Sequence, residues 1–355
     1  MHEQRGSAVA DDTSVRFWLP DPHHALAGAR LWQEVRVPGD LLDFSPTPDG
    51  WELELPRPAV RRMEYMLELK HRDGGIETIL DPANPLVARG VFGDHSVLEM
   101  PGYRRPAWLS LEATDSTRLR LVAPASGGLR TPVSLELWAP ADAEADEPLP
   151  LLVAHDGPEY DDLSALTHYF GAQIAAGAIP RGRLALLAPG DRNARYSASR
   201  AYARTLVESV LPVVNAASST AGRPVIMGAS LGGLAALHAE MLFPGTFGGL
   251  FLQSGSFFQP RHDGPGHGVG RYWRITDAVG AVLAAAPTEH PVEVTMTCGA
   301  LEENVSNNRV MARRLKKQGH LVRFTQVPDV HTYTAWRDAF HPHLTKLLQR
   351  CFGPA

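Results

Sequence analysis

Apolar and polar positions alternate with period two over residues 51–55, where Trp51, Leu53 and Leu55 fall on one side of an extended chain and Glu52 and Glu54 on the other. Similar short runs occupy residues 15–19, 31–35 and 63–69, and turn-forming pairs such as Pro38-Gly39 and Asp49-Gly50 separate them. No stretch of ten residues in this region carries helical spacing. Residues 12 to about 100 are therefore expected to form a small antiparallel β-sandwich.

Beyond residue 117 the texture changes. Strand-like runs at 119–121, 133–137, 151–154, 184–187, 225–227, 250–252, 292–297 and 321–327 alternate with helical patterns at 162–177, 198–216, 231–242, 305–318 and 333–350. Leu206, Val210 and Val213, or Leu234, Leu237 and Met241, illustrate the helical spacing. Such alternation predicts an α/β fold, a mainly parallel sheet with helices on both faces. The expected division is a sandwich over 1–105, a linker over 106–117 carrying Pro106, and an α/β domain over 118–355. The Pro-, Gly- and His-rich stretch 258–270 is longer than an ordinary connection and is a candidate lid.

Composition narrows the function. The chain has 355 residues, 44% hydrophobic and 21% charged, which suits globular domains rather than disorder. Its 34 basic and 39 acidic residues give a net charge of −5, unlike the basic balance of a nucleic-acid binder. The first six residues lack an apolar leader, and no run approaches the roughly 18 apolar residues of a membrane span, so a cytoplasmic protein without membrane contact is expected. Cys298 and Cys351 lack metal-binding or redox spacing.

The strongest chemical signal is Gly228-Ala229-Ser230-Leu231-Gly232, a G-x-S-x-G between a strand-like run and a helical one. Small flanking residues are needed there because the nucleophile sits on a strained strand-to-helix turn, with a helix N-terminus behind it facing developing negative charge. An acid and a histidine should follow in loops after later strands. The run 292–297 leads into Glu302 and Glu303, and 321–327 leads into Asp329 and His331. His331 is expected to carry the proton of Ser230, with Glu302 favoured as the orienting acid and Glu303, Asp329 and the more distant Asp263 left open. The oxyanion hole should use the N–H of Leu231 and one from the loop His155-Asp156-Gly157-Pro158-Glu159-Tyr160. Proline offers no N–H, so Gly157 is the expected donor and Glu159 the substitute. His155-Asp156 carries little weight as a metal pair, and His262 and His267 read as solvated loop residues.

With these residues in place, the sequence resembles the enterochelin (enterobactin) esterase family of α/β-hydrolases, related to the esterase D group. The matching pieces are residues 155–160, Asp191-Arg192 with Arg195, 206–214, 227–233, Phe243-Pro244 with Phe247, Gln253-Ser254-Gly255-Ser256, Glu302-Glu303-Asn304 with Asn308-Arg309, and His331 with Ala335-Trp336-Arg337. They span nearly all of 118–345. The front part agrees through Asp81-Pro82-Ala83-Asn84-Pro85, since that family carries an N-terminal immunoglobulin-like β-sandwich.

The resemblance implies hydrolysis of the ester bonds of a siderophore trilactone, releasing iron from its catechol complex. Because that ferric complex is strongly anionic, Arg192, Arg195, Arg261, Arg271 and Arg274 become candidate contacts, with Arg192, Arg195 and Tyr160 the expected substrate-binding set. Trp18, Trp32 and Trp51 read as core residues before they read as a carbohydrate surface. Two positions depart from the family's pattern: Pro158 in the oxyanion loop, and Val330-His331-Thr332, where the family tends to place glycine before the histidine and an acidic residue after it. The expectation is thus a serine esterase acting through an acyl-enzyme on a small-molecule ester, without metal or organic cofactor. A general carboxylesterase or acyltransferase shares the same motifs, and Pro158 motivates a third reading, a binding protein on a hydrolase scaffold.

Overall fold

The computed structural model describes residues 8–35, 37–263 and 271–353. The chain divides into two compact units. The first runs to Arg105 and also takes in Gly299–Glu302 and Pro328–Ala335; the second comprises Pro106–Cys298, Glu303–Val327 and the chain from Trp336.

Among the described residues nine strands build the first unit: β1 (Ala8–Ala10), β2 (Ser14–Pro20), β3 (Leu26–Gln33), β4 (Ser45–Thr47), β5 (Gly50–Pro56), β6 (Arg62–His71), β7 (Ile76–Ile79), β8 (Val87–Ala88) and β9 (His95–Glu99). They pair antiparallel in two sheets, one ordered β1-β2-β5-β4 and one ordered β3-β6-β9-β8 with β7 on β6. The period-two pattern decides which side chains turn inward. Val15 and Phe17 of β2 pair with Leu55 and Leu53 of β5, and Ala29 and Leu31 of β3 pair with Leu69 and Leu67 of β6. All eight are buried in one core. Phe17 meets Tyr65 of the other sheet edge to face at 5.0 Å. The Tyr65 hydroxyl donates to Asp81 at 2.7 Å and accepts from Asn84 at 3.0 Å, which seats the Asp-Pro-Ala-Asn-Pro run. Trp18 and Trp51 are half-buried, whereas Trp32 is 41% exposed with its ring against His95, a correction to its reading as core.

The second unit is built on an eight-stranded sheet: β10 (Ser116–Ala123), β11 (Val133–Pro140), β12 (Leu149–Ala154), β13 (Arg183–Leu187), β14 (Thr220–Ala229), β15 (Gly249–Gln253), β16 (Glu293–Gly299) and β17 (Leu321–Val327). Their spatial order is β10-β11-β13-β12-β14-β15-β16-β17. The pairs β12–β13, β12–β14, β14–β15 and β15–β16 are parallel; β10–β11 and β11–β13 are antiparallel. Parallel strands joined by helices are covered on both faces, so every residue of β13 and β15 is buried. Leu151, Val153, Ile226, Leu250, Leu252, Val294 and Met296 face one core with Leu206, Val210, Leu234, Ile275 and Met311 of the helices. The opposite side chains pack elsewhere, Trp138 edge to face on Phe170 at 5.5 Å.

The stretch expected as a linker already carries structure: Ala107–Ser110 forms a short 3-10 turn and β10 begins at Ser116. Of the candidate lid, Pro260–Asp263 forms one helical turn and His262 is exposed, while residues 264–270, including His267, lie outside the described residues. No helix of the described residues is long and apolar enough to cross a membrane.

Candidate active site

β14 ends at Ala229, and the helix Leu231–Leu242 begins two residues later, leaving Ser230 alone to turn the chain. Its backbone is held at φ 55° and ψ −121°, a conformation that residues with a Cβ rarely adopt. The flanking glycines are dictated by space. A Cβ at Gly228 would lie 2.4 Å from the carbonyl carbon of Gly232, and one at Gly232 would lie 3.2 Å from Asp156 and His155. The turn is tied down by the Ser230 N–H donating to the Gln253 carbonyl at 2.9 Å and by the Ser256 N–H donating to the Ser230 carbonyl at 3.0 Å. These bonds bring the Ser256 hydroxyl to 3.2 Å from the Ser230 hydroxyl. Asn308 clamps the same loop, exchanging two hydrogen bonds with the backbone of Gly255 at 3.1 and 2.9 Å. Ser256 and Asn308 received no role from sequence. Their only signal was membership of the matching family pieces.

Leu231 and Gly157 each open a helix, Leu231–Leu242 and Gly157–Ser164, and the first N–H groups of a helix have no intrahelical acceptor. Gly157 must be glycine, because a Cβ would stand 2.4 Å from Cα of Leu186 in β13. Pro158 falls in the first turn of its helix, where its missing N–H breaks no helical hydrogen bond. Ahead of it Asp156 adopts φ 50°. Its carboxylate, 2% exposed, takes two bonds of 2.8 Å from the Arg192 guanidinium. His155 lies buried beneath the elbow and donates from Nδ1 to the Gly232 carbonyl at 3.1 Å. Burial, with Arg192 nearby, pushes its pKa down to about 3, so it is a neutral structural group. Among the described residues no cluster of His, Cys, Asp or Glu could hold a metal ion.

The expected substrate-binding set divides. Arg192 keeps a third of its side chain exposed while bound to Asp156, and its Nη2 approaches the carbonyl of Ala229 at 3.5 Å. Arg195 is 4% exposed, and its guanidinium donates to the carbonyls of Pro132 at 2.8 Å and Pro189 at 3.3 Å and to the Thr131 hydroxyl at 2.9 Å. A buried guanidinium needs such acceptors, and these tie the loop junction together. Tyr160 is likewise engaged within the fold. It has no exposed surface, and its hydroxyl donates to Gln253 at 2.9 Å. Arg274 is also committed, donating to the carbonyls of Ser197 and Ala194.

In the first unit the structure brings Glu302 and His331 together. The loops that carry them follow β16 and β17 in the chain. Glu302, with its side chain 1% exposed, holds Nδ1 of His331 at 3.0 Å through Oε2 and accepts the Gly299 N–H at 2.8 Å through Oε1. With the carboxylate on Nδ1, the neutral imidazole carries its proton there and leaves Nε2 as a base. The other carboxylates are engaged differently or exposed. Glu303 faces solvent, Asp329 pairs with Arg62 at 3.6 Å, and Asp263 bonds Asn307 at 2.7 Å.

A serine strained into the turn between a parallel strand and a helix, on a sheet with this order, defines an α/β-hydrolase-like fold. The sequence matches the family model described as "Putative esterase" over residues 126–347, well over half of the chain. The chain belongs to that esterase family, hydrolases that act on esters. It is 26% identical over 292 residues to the iron(III) enterobactin esterase of Escherichia coli O6:H1 (strain CFT073), a match covering 78% of this chain and 69% of the relative. An enterobactin esterase from Shigella flexneri, solved in the presence of 2,3-di-hydroxy-N-benzoyl-glycine, shares its fold with a TM-score of 0.75 at 19% identity, over 99% of this chain and 98% of that one. A ferulic acid esterase structure matches with a TM-score of 0.56 at 15% identity, over 68% of this chain and all of the other.

Proposed function

We propose that the protein is a serine carboxylic-ester hydrolase that opens the ester bonds of an enterobactin-type siderophore trilactone in the cytoplasm. The observation that carries this reading is the backbone of Ser230, held at φ 55° on the turn between β14 and its helix. Ser230 Oγ attacks the ester carbonyl while Nε2 of His331 takes its proton, and Glu302 holds Nδ1 and stabilises the imidazolium. The N–H groups of Leu231 and Gly157 bind the oxyanion. His331 then returns the proton to the departing alcohol, and water resolves the acyl-enzyme by the same steps in reverse. The substrate class is supported by the enterobactin esterases among the relatives. Arg192 is the cation we assign to the anionic catecholates. In the same reading residues 1–105 form an immunoglobulin-like sandwich and residues 118–355 the hydrolase domain.

The test compares hydrolysis of a ferric catecholate trilactone with that of p-nitrophenyl acetate, by wild type and Ser230→Ala. Trilactone turnover that disappears in Ser230→Ala is expected. Serine-dependent cleavage of the acetate alone would keep the mechanism and discard the substrate, and turnover surviving in Ser230→Ala would discard the mechanism.

A further inference from the structure

The loop that carries His331 is anchored among the N-terminal strands. The Pro328 carbonyl accepts the N–H of Arg61 at 2.8 Å. Asp329 faces the Arg62 guanidinium at 3.6 Å, and Glu64 faces it at 3.9 Å, with all three side chains at most 8% exposed. Tyr103 lies against the same guanidinium, 5.4 Å from its ring centroid. Val330, at the position where the resembled family tends to have glycine, is 3% exposed and lies in the core formed by the two N-terminal sheets. Leu301, beside Glu302, packs against that core as well.

The anchor reaches the imidazole through a short chain of contacts. A Cβ at Gly299 would stand 2.4 Å from the Asp329 carbonyl oxygen and 2.7 Å from Oε1 of Glu302, so the two loops touch at a point with no slack. The Gly299 N–H holds Oε1 of Glu302, whose Oε2 holds His331. A shift of Asp329 must therefore move Gly299, and with it the carboxylate that orients the base.

We propose that the N-terminal strands hold the acid–base pair of this esterase in working position, with Arg62 and Val330 as positioning residues acting through Asp329 and Gly299. The inference rests on the Ser230–His331–Glu302 reading. It gives the N-terminal sheets a part in turnover that needs no contact between them and substrate.

The experiment uses the full chain and p-nitrophenyl acetate, with folding checked by circular dichroism and thermal melting. Arg62→Met and Val330→Ala should each lower kcat by about 10- to 100-fold while KM stays nearly constant, because orientation of the base is lost and ground-state binding is not. Arg62→Lys should restore most of the rate, since a cation again faces Asp329. In a His331→Ala background, adding Arg62→Met should cause no further loss, because the group it positions is gone. If Arg62→Met fails to fold, Val330→Ala and Arg62→Lys decide. Folded variants that keep kcat within twofold, beside a His331→Ala variant that is dead, would overturn the positioning role and leave the triad standing. A fully active His331→Ala would instead remove the underlying reading.

Discussion

Replacing Glu302 by glutamine isolates the step at which the carboxylate acts. One of its oxygens accepts the Gly299 N–H at 2.8 Å and the other His331 Nδ1 at 3.0 Å, in a site where the side chain is 1% exposed. Glutamine has one oxygen to offer. If that oxygen faces His331, the amide NH2 meets the Gly299 N–H, two donors with no acceptor, at about 1–3 kcal/mol. If it faces Gly299, the NH2 meets Nδ1, and the conflict disappears once the imidazole proton moves to Nε2. The second arrangement is favoured, and it puts a proton on the nitrogen that must receive one. The kcat should fall on the order of 10³- to 10⁴-fold, about 4–5.5 kcal/mol of barrier, as expected when an imidazole is held in the wrong tautomer. KM should change little, and stability should drop by only about 1 kcal/mol because every donor regains an acceptor. Initial rates with p-nitrophenyl acetate, together with a thermal melt, measure both. A folded Glu302→Gln enzyme that keeps kcat within tenfold would refute the assignment of Glu302 as orienting acid.

Three further outcomes follow from the geometry. Gly157→Ala puts a methyl group 2.4 Å from Cα of Leu186, so strand and loop must part at a cost of about 1–3 kcal/mol; an unchanged melting temperature would contradict that close approach. Ser256→Ala removes the hydroxyl 3.2 Å from Ser230 Oγ, a hydrogen bond of about 0.5–1.5 kcal/mol, and should lower kcat about 2- to 12-fold at a stability cost of no more than about 1.5 kcal/mol; equal rates would show that Ser256 does not orient the nucleophile. His155, pushed down to about 3 chiefly by burial from an ordinary 6.5, binds a proton in the unfolded chain before it does in the folded one. Its contribution to stability is therefore intact above pH 6.5 and declines as the pH falls toward 3, by up to about 1.4 kcal/mol per unit. His155→Asn can keep a donor on the Gly232 carbonyl without titrating, so denaturant titrations between pH 7 and 5 should give it the shallower slope, and parallel slopes would count against a neutral buried His155.

All eight sheet strands of the second unit overlap runs expected from the sequence; the inner ones, buried on both faces, write continuous apolar runs such as 250–252, whereas the edge strands β10 and β17 are largely exposed or half-buried. The small strands were not. β7 and β8 are short and mostly exposed, so no alternation marks them. Helix Tyr272–Ala284 escaped for another reason: Ile275, Val279 and Val282 do recur at helical spacing and are buried, but they follow the Pro- and Gly-rich stretch 258–270. The expected helix 162–177 is two, split where Ala165 takes φ 52°, and alanine gives no warning of such a turn. The expected helix 333–350 is interrupted at His341, which is non-helical, and there Pro342 was a visible signal, since the residue before a proline disfavours the helical region.

The same distinction governs the site. The turn at Ser230 was legible because its constraint is local: a strained φ with glycines two residues to either side, which the sequence writes in five consecutive letters. At Arg195 and Tyr160 the constraint is remote, and the residues beside them in the chain do not show it. Whether a guanidinium meets substrate or the Pro132 carbonyl and the Thr131 hydroxyl depends on a loop 63 and 64 residues away, and the type of residue is identical in both cases. Asp329 shows how the two kinds of constraint combine. Two residues from His331, it is near enough in sequence to be considered as the acid, yet its carboxylate faces Arg62, while Glu302, 29 residues from His331, holds the imidazole. Val330 between them explains the division of labour. With its side chain committed to the core of the N-terminal sheets, the loop's backbone is fixed, Asp329 is held against Arg62, and the carboxylate bonded to the imidazole comes from the other loop.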